Sequence, residues 1–126
     1  MIVWRCSLGA LGGAAMLLAS CAPTVDQVST QLTPGSGKTF RLTRAADVRL
    51  STGYSTALRA GTRWELVGTI PQGEVYRTRD QIVTLEGAHI HEGYIVVKQG
   101  TLAGFYLPVE RSFSPVTPET PLSTEP

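Results

Sequence analysis

Beyond residue 21 the chain has no cysteine, so no disulfide can staple that part of it in any redox compartment. An excess of charge of one sign is also missing. The 11 basic residues are nearly matched by 10 acidic ones, which gives no electrostatic grip on nucleic acid. Past the amino terminus, no window of about twelve residues holds an apolar stripe at helical spacing. The one long apolar run, Cys6 to Ala19, covers about 14 residues. That is short of the roughly 20 a spanning helix needs. Histidine occurs only at positions 89 and 91. At 126 residues the chain has room for one domain.

What is present at the amino terminus is ordered like an export signal. Arg5 precedes the apolar run, and the run ends in Leu18-Ala19-Ser20-Cys21. The last four residues resemble the lipobox of bacterial lipoproteins, although that family usually carries two or more positive charges where this chain has only Arg5. The resemblance covers residues 1–22. It implies that residues 1–20 are removed and that the Cys21 thiolate takes up a diacylglycerol group. Each buried methylene adds about 0.8 kcal/mol of membrane affinity, so the three acyl chains usual in the family would anchor the protein permanently. Ala22, where an Asp would favour inner-membrane retention, implies sorting to the outer membrane, facing the periplasm.

Residues 21–37 are small and polar, with Pro23, Pro34, Gly35 and Gly37 as breakers, and read as a lipidated flexible tether. Residues 114–126 hold Pro115, Pro118, Pro121 and Pro126 among Ser, Thr and Glu, and read as a disordered Pro-rich tail. The domain is then 38–113, small enough to bury only about 60% of its unfolded surface.

Its periodicity is two. Phe40, Leu42, Ala46, Val48 and Leu50 alternate with polar residues as one half-buried strand, or as two interrupted near Arg44. Trp64, Leu66 and Ile70 are expected to share one strand face. Pro71-Gln72-Gly73 predicts a turn, and Ile82–Glu86 another strand. Tyr94–Lys98 and Thr101–Leu107 form a hairpin across Gln99-Gly100. The fold class is all-β, a small antiparallel barrel or sandwich. The spacing of Gly61, Trp64, Gly68, Gly73 and Val75 resembles an SH3-like barrel.

Chemical motifs are sparse. Gly37-Lys38-Thr39 lacks the earlier glycine of a phosphate-binding loop, because Leu32 stands there, and it follows a breaker-rich segment, so no nucleotide is expected. Glu86, His89, His91 and Glu92 form the one metal-like grouping. Two histidines two apart share a face of an extended segment, but a zinc site needs more ligands, and a polar loop is the simpler account. Ser51, Ser55 and Ser112 sit in no nucleophile elbow, and Asp47 and Asp80 read as turn or solvent-facing residues. Arg77 and Arg79 share a face with Val75 and read as a solvated strand face.

These observations lead to a non-enzymatic envelope lipoprotein without metal or cofactor. It would be held to the membrane through Cys21, with a β-domain that binds an envelope protein partner. The alternative is a ligand-binding module, such as an SH3-like domain for cell-wall glycopeptide with a groove lined by Trp64 and Tyr side chains. A metal hydrolase using His89 and His91 comes third. Both faces of the hairpin are apolar. With Val97 opposite Leu102 and Val96 opposite Ala103, Tyr94, Val96, Ala103 and Phe105 would share one face. The expected partner surface is therefore Tyr94, Val96 and Phe105.

Overall fold

The computed structural model describes residues 23–126, so Cys21 and the cleavage site expected before it lie outside the described residues. Alternation over 40–50 resolves into β3 (Thr39–Leu42) and β4 (Ala46–Arg49), which belong to different sheets. They follow two short strands, β1 (Val28–Ser29) and β2 (Thr33–Pro34). After them come β5 (Ser55–Leu58), β6 (Arg63–Ile70), β7 (Gly73–Thr78), β8 (Thr84–Glu86), β9 (Ile90–Glu92), β10 (Tyr94–Lys98), β11 (Thr101–Leu107), β12 (Ser112–Pro121) and β13 (Thr124–Glu125). The predicted strand at 82–86 is shorter than expected and starts at Thr84.

The architecture is all-β and antiparallel. The large sheet runs β1-β12-β11-β10-β7-β6-β3-β13, with β2 also paired to β6, and two small sheets are β4-β5 and β8-β9. The large sheet ends in unpaired edges at β1 and β13, so it does not close, which corrects the barrel expectation.

The flanks are a second correction. From Pro23 on, the segment read as a flexible tether is tied into the fold. Val28 pairs with Phe113 and Thr33 with Thr69, while Val25 is buried and Leu32 packs on apolar neighbours. The segment read as a disordered tail is mostly strand. Phe105 pairs with Ser114, Thr101 with Pro121, and Thr124 with Leu42. The physical reason is positional. Pro115 and Pro121 lie past the short β1, where β12 has only β11 beside it, and an edge strand tolerates residues that cannot donate on its open side, while Pro118 falls in the stretch 116–119 that the β11–β12 ladder skips. Val116 and Leu122 give this segment apolar side chains to bury.

Two bulges explain where the core sits. Between Leu66 and Gly68 one residue of β6 is unmatched, and between Leu102 and Gly104 one residue of β11 is unmatched. An extra residue flips every following side chain to the opposite face. Trp64 and Leu66 therefore join the main core, whereas Ile70 lies in a second cluster, contrary to the shared face expected for the three. In the hairpin, Lys98 faces Thr101 and Val97 faces Leu102 as expected. Beyond the bulge, Val96 faces Gly104, Ile95 faces Phe105 and Tyr94 faces Tyr106.

One face of the large sheet thus contributes Leu42, Trp64, Tyr76, Ile95, Leu102, Phe105 and Leu107 to the main core. Val48, Leu58, Val83 and Leu85 of the small sheets and their flanks pack with them. The other face carries Ile70, Val75, Val96, Ala103, Tyr106 and Phe113, against which Leu32, Val67 and Tyr94 pack. Gly104 is required here, since a Cβ on it would stand 2.7 Å from the Phe113 ring. Each large aliphatic or aromatic side chain buried in these clusters contributes about 1.5–3 kcal/mol.

Candidate functional site

The expected surface of Tyr94, Val96 and Phe105 does not exist as a patch. Val96 and Phe105 are fully buried, and on opposite faces, because the bulge turns Phe105 into the main core. Only Tyr94 reaches solvent, half-buried beside Tyr106 at a ring separation of 6.5 Å. Cys21 lies outside the described residues.

Tyr94 opens instead onto a polar groove built by β6 and β7. Their register sets Trp64 opposite Thr78 and Glu65 opposite Arg77. Trp64 points into the core, fully buried, and its Nε1 donates to Thr62 Oγ1 at 2.9 Å. Strand alternation turns Arg63, Glu65, Arg77 and Arg79 to the opposite side. Arg77 Nε donates to Glu65 Oε1 at 3.0 Å, and Arg79 Nε lies 3.8 Å from the same oxygen. The hydrogen bond to Glu65, followed by the charge of Glu65, raises the Arg77 pKa further, and a hydrogen bond with Tyr94 adds to this. Asp80 Oδ2 accepts from the Arg63 amide at 2.6 Å.

Two adjoining hollows lie along this groove. One, of about 220 Å³, is bounded by Thr39, Arg63, Glu65, Arg77, Arg79 and Asp80. The other, of about 160 Å³, shares Arg79 with the first and is bounded by Gln81, Ile82, Glu92 and Tyr94. Trp64 forms the floor beneath both without being exposed. Ile82 stands at the rim with 83% of its surface exposed. It precedes β8, whose alternation sends Val83 and Leu85 inward and leaves Ile82 outward.

The groove offers guanidinium, phenol and aliphatic surface. Glu65 is engaged by two arginines and Asp80 by a backbone amide, while Glu92 borders the second hollow as an exposed carboxylate. The guanidinium groups can donate to a carboxylate beside the apolar side chain of Ile82.

The other sequence candidates are dispersed. Among the described residues no three His, Cys, Asp or Glu side chains converge as a metal site. His89 and His91 have ring centroids 6.5 Å apart, and His91 Nδ1 lies 2.6 Å from Glu110 Oε1. Ser112 is buried and donates to Gln27 Oε1 at 2.6 Å, while Ser51 and Ser55 are exposed. Asp47 is exposed on β4. Lys38, from the phosphate-loop-like stretch, lies between two strands and pairs with Glu74 at 3.0 Å.

Sequence reasoning missed Ile82 as a surface residue and Glu110 as the partner of His91. The outward alternation of Ile82 against Val83 and Leu85 was a usable signal. Nothing local to Glu110 marks it. Compared with protein-family models, curated proteins and solved structures, the chain matches none.

Proposed function

We propose that the chain is a non-enzymatic lipoprotein of the bacterial envelope. Lipid on Cys21 anchors it, most simply in the outer membrane facing the periplasm, and its β-domain binds a protein partner. The lipobox at Leu18–Cys21 supports the anchor. The observation that carries the partner reading is Ile82, 83% exposed at a groove that also presents Arg79 and Tyr94. Arginine and tyrosine are the residue types enriched where partners dock, and an exposed branched aliphatic supplies the apolar anchor. A cell-wall glycopeptide site would call for open aromatic platforms, whereas Trp64 is fully buried. Packing of both small sheets onto one face of the large sheet supports a sandwich-type scaffold over an SH3-like barrel.

The test is crosslinking of the full lipidated chain in native membranes. Fatty-acid label should enter wild type and not Cys21→Ser. A discrete crosslinked protein should appear with wild type and fall about tenfold with Ile82→Ser or Arg79→Glu, as loss of roughly 1.4 kcal/mol requires. Equal labelling of Cys21→Ser would refute the anchor. An undiminished crosslink in both groove variants would refute the docking site.

A further inference from the structure

The described fold begins almost at the residue expected to carry lipid. The Pro23 carbonyl accepts a hydrogen bond from the Ala88 amide at 2.9 Å, and Val25, two residues on, is buried in the main core. Gly87 packs so closely on this segment that a Cβ there would come within 2.8 Å of the Pro23 oxygen. Two Cα–Cα steps separate Cys21 from Pro23, a reach of at most about 7.6 Å. A domain held by such a short lead cannot stand off from the surface that its anchor enters.

What surrounds Pro23 suits that surface. The turn Ser51-Thr52-Gly53-Tyr54 and the bend Gly87-Ala88-His89, with Ile90 after it, lie side by side, since Thr52 Oγ1 donates to the Glu86 carbonyl at 2.6 Å. Neither segment contains Asp, Glu, Lys or Arg. Arg49 and Glu86 flank them. Tyr54 is 46% exposed and Ile90 70% exposed, both in segments next to the anchoring point. Tyrosine favours the headgroup level of a bilayer, where its ring is in apolar surroundings and its hydroxyl in water. An exposed isoleucine gains by leaving water.

From the short lead and this uncharged rim we infer that the domain rests directly on the lipid bilayer, with Tyr54 and Ile90 in the headgroup layer. This rests on the reading of Cys21 as the lipidated residue. Ile82 lies four residues before Glu86, up to about 13 Å further along the chain, so the groove is carried away from the rim. β10 carries the chain from Tyr94, just after β9, to Lys98, so the Gln99-Gly100 turn stands a strand length from β9, and the Pro71-Gln72 turn, which Thr30 reaches by a side-chain hydrogen bond to Gln72, packs beside the end of β10.

The experiment uses the full lipidated chain in vesicles of phosphatidylethanolamine and phosphatidylglycerol. Once Cys6 is removed and Cys21 acylated, any introduced cysteine is unique. Nitroxide is attached in Tyr54→Cys, His89→Cys, Ile90→Cys and, as the far reference, Gln99→Cys. The ratio of oxygen to nickel-chelate accessibility is then read at each position. All four positions are exposed, and any variant that loses its cooperative melt is set aside in favour of the others. The expected ratio at 54 and 90 is several-fold above that at 99, with 89 between them. Mass analysis of the amino-terminal peptide separates the two proposals. If Cys21 carries no lipid, the anchor and the resting surface both fall. If Cys21 is lipidated and positions 54, 89 and 90 are as aqueous as 99, the resting surface alone is wrong.

Discussion

His91 Nδ1 lies 2.6 Å from Oε1 of Glu110, which ties β9 to the turn between β11 and β12. The hydrogen bond from His91 is the main reason the Glu110 pKa is lowered, and partial burial opposes it. A carboxyl whose folded pKa is depressed stabilises the fold above its unfolded pKa, and that contribution is lost as pH falls through the folded value. Glu110→Gln should therefore be less stable than wild type at neutral pH, with the difference closing below the ordinary carboxylate range. Urea melts of both proteins across acidic pH will show this. A difference that persists unchanged at low pH would mean that the pair is held by packing.

Tyr76 provides the alkaline counterpart. Burial, followed by the charge of Glu74 and a hydrogen bond to it, pushes its hydroxyl up to about 12. Its hydroxyl donates to Glu74 Oε1 at 3.2 Å, and its ring meets Phe40 edge-on at 4.8 Å. The raised pKa means a contribution present below the unfolded value near 10 and lost as pH climbs toward 12. Ultraviolet titration should show a late tyrosine ionisation that disappears in Tyr76→Phe. A late step surviving that substitution would assign it to another ring.

Gly104 is the position least able to accept a side chain. A methyl group there would run into the Ser114 carbonyl as well as the Phe113 ring, and backbone cannot swing aside as a flexible side chain does. Gly104→Ala should cost about 3 kcal/mol, the upper part of the range for overpacking. Gly100→Ala is the contrast, since its Cβ would meet nothing within 4 Å, although its φ of +74° strains any L-residue. Denaturant midpoints should rank Gly104→Ala well below Gly100→Ala.

Deleting residues 115–126 removes Val116 from the main core, the β13 pairing with β3, and the Arg41–Glu125 ion pair. Burial of Val116 alone is worth about 1.5–3 kcal/mol. At roughly 4–8 °C per kcal/mol in a domain this small, loss of Val116 alone should lower the melting temperature by at least about 6 °C. A truncated form that melts within a few degrees of the full chain would show the tail to be an ornament.

How far the sequence could be read depended on which physical effects leave local traces. Period-two alternation marked the strands, and Gln99-Gly100 marked a turn, so Lys98 opposite Thr101 and Val97 opposite Leu102 were legible. The bulge at Ala103 was not. It leaves no compositional sign, and it reversed the faces of Phe105 and Tyr106, which removed the partner surface drawn from strict alternation. The flanks were misread for a related reason. Proline is depleted in strands and masks the β preference of the threonines beside it, and what organises 112–125 is the sheet it joins. The candidate groove was half legible: Arg77 and Arg79 stood out as a shared face, but their convergence on Glu65 depends on the pairing of β6 with β7.

The tail also fixes when the domain can come into being. Leu122 N donates to the Gly100 carbonyl, between β10 and β11, and one residue later the Ser123 carbonyl accepts from the Thr43 amide, just past β3, so this short segment bridges strands that are not neighbours in the large sheet. Arg41 and Glu125 meet across 84 positions of chain. Such distant pairings place the protein among slow-folding, high-contact-order topologies. A chain made amino-end first delivers residues 122–125 after every other strand of the large sheet, so the sheet stays incomplete until they too have emerged.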